Sequence, residues 1–301
     1  MRLHHIRDLV AVIESGSIRA AARKLGLSQP AVTKCLRSLE AELRIQLVKR
    51  TPQGIVPTPA GRAFFARARA IQEELRKATE ELAQLSGQNT GSVTFGVGPL
   101  AAALVVPDAV NLFRRQLPRV GARVVEGFVP ALIPLLREGT LDFALGPRFD
   151  ASPDPAIAFR PLFREQWFVV ARKNHPLRAA RALAELADAD WLGLQGSDRA
   201  GGPFDRMFLA AGLPVPQQIL KCDSHNTSVA VLGKTDMVAI MGSRMLATSP
   251  ARDILVRIPV AETTPTVTVG MFTRTDPPLT PAAAAMARAV IAVARRLARP
   301  D

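Results

Sequence analysis

The sequence contains no tyrosine, only two tryptophans and few aromatic residues of any kind, which make up 5% of its 301 residues. Its two cysteines, Cys35 and Cys222, are far apart and follow no metal-binding or disulfide spacing. No run of about 18 apolar residues is free of charge, because Asp108 and Arg288 interrupt the best candidates. The start, MRLHHIRDL, has no apolar signal-peptide core. These absences predict a soluble cytoplasmic protein with no disulfide framework and no membrane partner, and we expect no cofactor.

Motifs of common enzyme and metal sites are missing as well. The chain has no nucleophile elbow, P-loop, HExxH or GxGxxG pattern, and VTFGVGPLAAA at 93–103 has the wrong glycine spacing. His4 and His5 are expected on the surface, His175 in a turn, and Cys35 as a packed or half-buried thiol. We therefore predict no enzyme activity, no catalytic residues and no metal site.

A strong basic excess is present instead. The net charge is +13 and the pI about 11.1, which favours a polyanionic partner. Residues 1–62 hold 11 lysines and arginines against four acidic residues, so the excess is concentrated at one end. An arginine-rich coding bias is an alternative source of the charge, and the excess of arginine over lysine is consistent with it. The concentration predicts that the N-terminal end binds double-stranded DNA.

The segment 17–43 predicts two short helices joined by a tight turn. Gly26 ends the first helix, and Ser28 is a good N-cap for the second. Pro30 falls in the first turn of the second helix, where a missing N–H is tolerated. An apolar stripe with helical spacing follows, formed by Val32, Leu36, Leu39 and Leu43.

The other face of this second helix is polar and basic, as a helix in a DNA major groove requires. The predicted DNA-binding residues are Ser28, Gln29, Pro30, Thr33, Lys34 and Arg37. Two short strands at 47–49 and 55–56 predict a wing, from which Arg50 and Thr51 contact the DNA backbone or minor groove. The alternative is an ordinary surface helical hairpin with a solvated basic face, because such patterns are short and degenerate.

A long helix is predicted from Pro59, with Thr58 as its cap. Its apolar residues recur in alternating steps of four and three, at Phe64, Ala68, Ile71, Leu75, Ala78, Leu82 and Leu85. This heptad period is typical of a helix that pairs with a second copy, so we expect a homodimer through it. An amphipathic helix that lies on its own domain is the alternative. GQNTG at 87–91 has the composition of a linker.

From residue 92 onward, predicted strands alternate with predicted helices. VTFGV, RVVEG, LDFALGP and QWFVVAR are among the strands, and 99–116 and 282–297 are among the helices. This alternation predicts a largely parallel sheet, or two such sheets, covered by helices.

Over essentially its full length the sequence resembles the LysR-type transcriptional regulators. The most specific block is ESGSIRAAARKLGLSQPAVTKCLRSLEAEL at 14–43, followed by LVKR and by the TPAG that opens the long helix. GTLDFALGP, VVARKNHPL and GKTDMVAIMG are similar to landmarks of the family's effector domain. The chain departs from the family at Lys34 and Cys35, where arginine and a polar residue are commoner, and at Gly242, where many members have proline.

The resemblance implies an α/β effector domain of two lobes, like a periplasmic binding protein, preceded by an α-helical winged helix-turn-helix domain and a long linker helix. We expect the DNA-binding domain at 1–58, the dimerising linker helix and hinge at 59–90, and the effector domain at 91–301. Lobe I is expected at 91–161 and 267–301 and lobe II at 162–266, with the chain crossing near Pro161 and returning near Thr266. Family members are usually tetramers, so a homotetramer is implied.

The effector site is expected where strands end and helices begin, because open α/β sheets bind ligands there. The predicted effector-binding residues are Gly98, Pro99, Leu100, Phe128, Val129, Pro130, Arg148, Ser197, Arg199, His225, Asn226 and Thr227. Helix N-termini and the arginines favour a small organic anion, with an aromatic carboxylate or sulfonate as one form. Surface positions for Arg148 and Arg199 are the alternative, and Gly98 lacks the hydroxyl that many family members have there.

Together these features predict a DNA-binding transcriptional regulator of the LysR type, controlled by a small molecule bound between two α/β lobes. The rival hypothesis is a ligand-independent architectural DNA-binding protein. Such a protein needs no two-lobed domain of about 200 residues, so the predicted effector domain argues against it.

Overall fold

The computed structural model describes residues 1–52, 54–149, 154–194, 202–248 and 250–298. The chain packs as two compact units. Unit 1 comprises residues 1–82 together with the short segment 138–140, and unit 2 is the remainder of the chain.

Unit 1 is built from short helices, a hairpin and the greater part of one long helix. Its elements are α1 (Leu3–Ser15), α2 (Ile18–Leu25), α3 (Gln29–Leu43), β1 (Val48–Thr51), β2 (Gly54–Pro57) and α4 (Pro59–Leu85). The hairpin is antiparallel, with Val48 opposite Pro57 and Thr51 opposite Gly54. The buried core contains Leu9 and Val12 of α1, Ile18 and Ala21 of α2, Val32, Leu36 and Leu39 of α3, and Leu47 and Ile55 around the hairpin.

The local signals of unit 1 place its helix ends as the sequence predicts. Gly26 ends α2 in the left-handed conformation at φ 66°, which glycine adopts without strain. The Ser28 hydroxyl accepts a hydrogen bond from the N–H of Ala31 at 3.3 Å and caps α3. Thr58 Oγ1 accepts one from Gly61 N at 3.0 Å at the start of α4. These contacts satisfy backbone groups that a helix end leaves free.

Unit 2 alternates strands and helices over most of its length. Its elements are β3 (Ser92–Val97), α5 (Pro99–Leu104), α6 (Val106–Gln116), β4 (Gly121–Glu126), α7 (Val129–Arg137), β5 (Phe143–Arg148), β6 (Ile157–Arg172), a 3-10 turn (Leu183–Leu186), β7 (Asp190–Leu194), α8 (Pro203–Ala210), β8 (Gln218–Cys222), α9 (His225–Leu232), β9 (Met237–Gly242), α10 (Ser243–Leu246), α11 (Ala251–Ile254), β10 (Leu255–Arg257), β11 (Thr266–Arg274) and α12 (Pro281–Leu297).

The described strands of unit 2 form one continuous sheet in the order β4-β3-β5-β11-β6-β9-β7-β8, with β10 paired to β6. β3 runs parallel to β4 and β5, and β7 runs parallel to β8 and β9. Between these two parallel halves lie β6 and β11, which pair antiparallel with each other. The expectation of a largely parallel sheet is therefore correct for each half and wrong for the strands that join them.

The strand β6 connects the two halves of the sheet. Up to Gln166 it pairs with β11, and from Trp167 it pairs with β9. The change of partner lies further along the chain than Pro161, while β11 begins at Thr266. The two halves are the two lobes of unit 2, and each has a buried core of its own, around Phe95, Phe113 and α12 in one and around Trp191, Phe204 and Phe208 in the other.

One predicted helix is divided in the structure. The sequence predicts a single helix over 99–116, but α5 ends at Leu104 and α6 begins at Val106. Pro107 explains the break, because a proline inside a helix lacks the N–H and its ring clashes with the preceding turn. Proline is tolerated in the first turn of a new helix, which is its place in α6.

Candidate functional sites

The helix α3 presents two different faces. Val32 and Leu39 are fully buried and Leu36 nearly so, which fixes the back of the helix against unit 1. On the other side a shallow open groove is lined by Gln29, Pro30, Thr33, Lys34, Arg37 and Ser38. All the DNA-contact residues predicted on this helix except its cap, Ser28, therefore lie on one surface. Ser38 is an addition, which its position one turn beyond Lys34 would have indicated.

The charges of this groove are available to a partner. Lys34 and Arg37 are exposed and have no salt bridge within the described residues. Thr33 is half-buried, and its hydroxyl donates a hydrogen bond to the Gln29 carbonyl oxygen at 2.9 Å. Thr33 can therefore offer only its methyl group and oxygen lone pairs to DNA.

The wing is anchored to the helices on either side of it. Glu40 of α3 accepts hydrogen bonds through Oε1 from Leu47 N at 2.7 Å and Val48 N at 3.1 Å. Ile55 N donates to the Gly16 carbonyl oxygen at 2.7 Å. These bonds hold the hairpin at a defined position relative to α3. Glu40 is a positioning residue that the sequence analysis did not find.

The two predicted wing contacts differ in the structure. Arg50 is exposed in β1. Thr51 is half-buried, and its hydroxyl donates to the Gly54 carbonyl oxygen at 3.1 Å across the turn. Arg50 is thus the better placed of the two for a phosphate contact, while Thr51 also stabilises the hairpin.

The apolar seam of α4 is uneven along its length. Ala68 is buried inside unit 1, but Ile71 and Leu75 are 41% and 49% exposed, and Leu82 and Leu85 are 69% and 70% exposed. Leucines this exposed on one helical stripe have no covering surface within the described chain. The heptad pattern of α4 therefore continues beyond the part of the helix that unit 1 buries.

A second candidate site is an apolar pocket in unit 2, where both lobes contribute residues. It is lined by Gly98, Pro99, Leu100, Ala101, Phe128, Gly146, Pro147, Phe149, Trp167, His225, Met241, Gly242, Met245, Val267 and Val269. The lining includes five of the predicted effector residues, namely Gly98, Pro99, Leu100, Phe128 and His225. The strands β6 and β11, which connect the lobes, add Trp167, Val267 and Val269 to the lining. The sequence does not predict these three residues, because no local motif marks the point where a strand passes from one lobe to the other.

The other predicted effector residues that the structure describes lie outside this lining. Val129, Pro130, Asn226 and Thr227 do not line the pocket, and Thr227 N instead donates to the Ser224 hydroxyl that caps α9. The Arg148 guanidinium carbon lies 5.1 Å from the centre of the Phe159 ring, a cation–π contact outside the pocket. Ser197 and Arg199 lie outside the described residues.

The described lining of the pocket offers little to bind a negative charge. No lysine or arginine is part of its described lining. Burial lowers the pKa of His225, which keeps the ring neutral at neutral pH. The Gly98 N–H already donates to the Leu145 carbonyl oxygen at 2.7 Å, so it is not free for a ligand. The part of the lining that the structure describes is therefore suited to an apolar molecule that forms one hydrogen bond with a neutral imidazole.

Beside the pocket, a buried ion pair joins β6 to α10, the short helix that follows β9. The Glu165 side chain is fully buried, and it accepts hydrogen bonds from Arg244 N at 2.8 Å and from the Arg244 guanidinium at 3.1 Å. A Cβ atom on Gly242 would lie 2.7 Å from Glu165 Oε1. This close approach gives a physical reason for glycine at a position where many LysR regulators have proline.

Cys35 and the three histidines whose positions the sequence predicts follow expectation only in part. Cys35 is half-buried, and burial is the main reason that its pKa is raised, to about 12, with the Asp8 carboxylate adding to the shift. His4 is exposed as expected. His5 is 9% exposed, so its predicted surface position is wrong, because the first turn of α1 packs beside α3. His175 is in a turn, where its Nδ1 accepts from Leu177 N at 3.0 Å.

A winged helix-turn-helix with an exposed basic recognition face, followed by a two-lobed α/β domain with a pocket between its lobes, defines a ligand-responsive transcriptional regulator. Comparison with protein families makes this specific. Residues 3–62 match the bacterial regulatory helix-turn-helix protein, lysR family, and residues 86–295 match the LysR substrate binding domain. The chain belongs to the LysR family of transcriptional regulators.

Individual relatives agree with this assignment. The regulator TdcA of Escherichia coli strain K12 is 28% identical, over 88% of this chain and 84% of TdcA. GalR of Pseudomonas putida is 31% identical, over 93% of this chain and 71% of GalR. The crystal structure of full-length CbnR complexed with its target DNA has a TM-score of 0.71 at 20% identity, covering 97% of this chain and all of CbnR. At that identity the CbnR likeness concerns the fold alone.

The protein is accordingly a LysR-type DNA-binding transcriptional regulator with an effector-binding domain. LysR-type regulators bind DNA and small-molecule effectors and are oligomeric. Within the described residues, no helix has the length and apolar character that crossing a membrane requires.

Proposed function

We propose that α3 enters the major groove of an operator and that the wing contacts the adjoining backbone. Gln29, Lys34 and Arg37 are the proposed base or phosphate contacts, Ser28, Pro30 and Thr33 shape the same surface, and Arg50 and Thr51 belong to the wing. The observation that carries this proposal is the pair of exposed cations on α3, opposite a fully buried apolar back. Arginine and lysine pair with guanine edges or phosphates, and glutamine with adenine.

The proposed functional form is a homodimer through α4, assembled further into a homotetramer. The exposed leucines of the heptad seam support the dimer, because two copies would cover them with each other. A dimer presents two recognition helices to a symmetric operator. The proposed functional division has three parts: the DNA-binding domain at 1–58, the linker helix and hinge at 59–90, and the effector domain at 91–301. Within the effector domain, lobe I is 91–161 together with 267–301, and lobe II is 162–266.

For the effector we propose an uncharged molecule with an aromatic or other apolar body and one polar group. The small organic anion that the sequence favours is the alternative. The apolar character of the described lining, the neutral His225 and the position of Arg148 against Phe159 support the uncharged molecule. An imidazole in an apolar cleft fixes orientation through one hydrogen bond, while the ring contacts of Phe128 and Trp167 provide affinity.

Tryptophan fluorescence gives a direct test of this effector class, because Trp167 lines the pocket. The protein is titrated with neutral aromatic alcohols and amides and with carboxylates of the same ring size. We expect the neutral series to quench the fluorescence. Gly98→Ser is the matched variant: its Cβ would make only ordinary contacts, the nearest at 3.5 Å, and its hydroxyl would add a hydrogen-bond donor beside the pocket. We expect this variant to improve carboxylate binding relative to the parent. Carboxylates that bind the parent more tightly than the neutral series would contradict the proposal.

We further propose that the protein acts in the cytoplasm and has no catalytic activity. The functional site residues support binding only, and the relatives are transcriptional regulators. A ligand-independent architectural role is the competing function. Footprinting of the operator with and without the effector distinguishes the two, because a regulator changes its protected region when the pocket fills and an architectural protein does not.

A further inference from the structure

Three side chains with metal-ligand chemistry meet where α1 packs beside α3. His4 and His5 occupy the first turn of α1, and Cys35 lies in the middle of α3. One ligand atom from each of the three lies within 4.8 Å of the other two. The cluster is separate from both sites described above, since none of its members lines the groove on α3 or the apolar pocket of unit 2.

One member of the cluster has an unfulfilled bonding requirement. His5 is buried, and its Nδ1 atom has no hydrogen-bond partner among the described residues. The Glu42 carboxylate oxygen Oε2 lies 4.0 Å from it, which is beyond hydrogen-bond distance. Buried polar atoms in folded proteins almost always have a partner, so this one requires an explanation.

A transition metal would supply the missing partner. Two imidazole nitrogens and a thiolate are preferred ligands of Zn²⁺, with bonds of about 2.0–2.1 Å to nitrogen and about 2.3 Å to sulfur. In a tetrahedral site of those bond lengths the ligand atoms are about 3.3–3.6 Å apart. The cluster thus needs to contract by roughly 1 Å, which rotation of the exposed His4 side chain allows.

We propose that His4, His5 and Cys35 form a binding site for a single transition-metal ion of the Zn²⁺ class. Glu42, whose carboxylate pairs with the Met1 amino group, is near enough to His5 to become the fourth ligand. Binding exchanges the thiol proton of Cys35 for the metal, and the proton leaves to solvent. No change of oxidation state is involved.

Such an ion would affect DNA binding by fixing the position of α3 relative to α1. Cys35 lies on the same helix as Lys34 and Arg37, so a metal bond from Cys35 to α1 would restrain the recognition helix. We expect the metal to stabilise unit 1 and to change operator affinity, because binding to the folded form alone shifts folding by mass action.

The test uses the full-length chain without a polyhistidine tag. Zn²⁺ is titrated in competition with a chromophoric chelator, and Co²⁺ is used as a spectroscopic substitute. The parent is expected to bind one ion per chain, with a thiolate-to-cobalt charge-transfer band. Cys35→Ser should lose this band, and both Cys35→Ser and His4→Gln should bind at least about tenfold more weakly.

Cys222→Ser is the matched control, because Cys222 is the other half-buried thiol of the chain and lies in unit 2, away from the cluster. It should bind metal like the parent. His4→Gln alters only an exposed side chain, so a loss of binding in that variant does not come from misfolding. Parent protein that binds no Zn²⁺ at micromolar concentration, or a Cys35→Ser variant with unchanged affinity and cobalt spectrum, would overturn the proposal.

Discussion

Glu165 is the residue whose environment most constrains the junction between the lobes. Its carboxylate is fully buried and accepts hydrogen bonds from Ser243 Oγ at 3.3 Å, Arg244 N at 2.8 Å and the Arg244 guanidinium at 3.1 Å. Arg244 also donates to the carbonyl oxygens of Arg164 and Leu297. One carboxylate therefore connects β6 to α10 and, through Arg244, to the last helix.

We predict that Glu165→Gln destabilises unit 2 by about 2 kcal/mol, the range for hydrogen bonds to a charged group. The amide keeps the size of the side chain but directs N–H groups at other donors. For a unit of this size the loss lowers Tm by roughly 4–8 °C. Thermal unfolding followed by tryptophan fluorescence measures it, with Glu126→Gln on the exposed strand β4 as the control. Equal melting of both variants would show that the buried pair contributes nothing.

At this scale the sequence predicts residues on a regular face well and residues in a pocket poorly. Gln29, Lys34 and Arg37 follow from helical periodicity, because one helix places them together whatever the rest of the chain does. Arg148 was expected at the effector site from its place at a strand end, but it packs on Phe159. Trp167 was not predicted there, since its position depends on the pairing of distant strands.

At the scale of elements, the recognition helix α3 has a buried apolar face and, opposite it, an exposed basic face. We predict that Arg37→Ala weakens operator binding by about 1–3 kcal/mol and leaves the oligomeric state unchanged. The loss follows from removing an exposed guanidinium, which forms no salt bridge within the described chain and is thus free for DNA. Fluorescence anisotropy with operator DNA at several salt concentrations measures it.

Arg114→Ala is the matched control for this prediction, because Arg114 is equally exposed but lies on α6 in the other unit. It removes the same charge without touching the recognition surface. If the two variants bound the operator equally, the effect would be one of net charge, and Arg37 would not be a DNA contact.

The helix α4 provides the second prediction at this scale. Leu82→Glu should abolish the pairing of two chains through α4 and so halve the mass of the assembly, because a buried carboxylate on each copy would face the other across the seam. Size-exclusion chromatography with light scattering measures the mass. Ala63→Glu, exposed and off the seam on the same helix, is the control and should keep the mass of the parent. An assembly whose mass is unchanged by Leu82→Glu would show that the chains do not pair through α4.

At the scale of the whole molecule, the order of elements was predictable and their pairing was not. Turn residues, helix caps and the alternation of strands with helices are local, and most elements of unit 2 were expected close to where they lie. The single sheet through both lobes depends on β6, whose first part pairs with β11 and whose last part pairs with β9. Pairing across about 100 residues of sequence leaves no local pattern, which is why the crossing and the pocket it forms were only partly anticipated.

The pH dependence of unit 2 is a property of the assembled pocket. Burial lowers the pKa of His225 below its ordinary value of 6.5. Between the two pKa values the unfolded chain binds more protons than the folded one, so stability rises with pH in that window. We therefore predict that unit 2 loses stability as the pH falls below about 6.5, and that effector binding weakens with it as the imidazole becomes charged.

Urea unfolding at pH 7.5 and pH 5.0, followed by tryptophan fluorescence, measures this effect. Both tryptophans, Trp167 and Trp191, lie in unit 2, so the signal excludes the histidines of the DNA-binding unit. His225→Gln keeps a neutral polar side chain at the pocket and should flatten the decline at low pH, even if it lowers stability at pH 7.5. A variant that lost stability between the two pH values as steeply as the parent would show that His225 is not the group that links the pocket to pH.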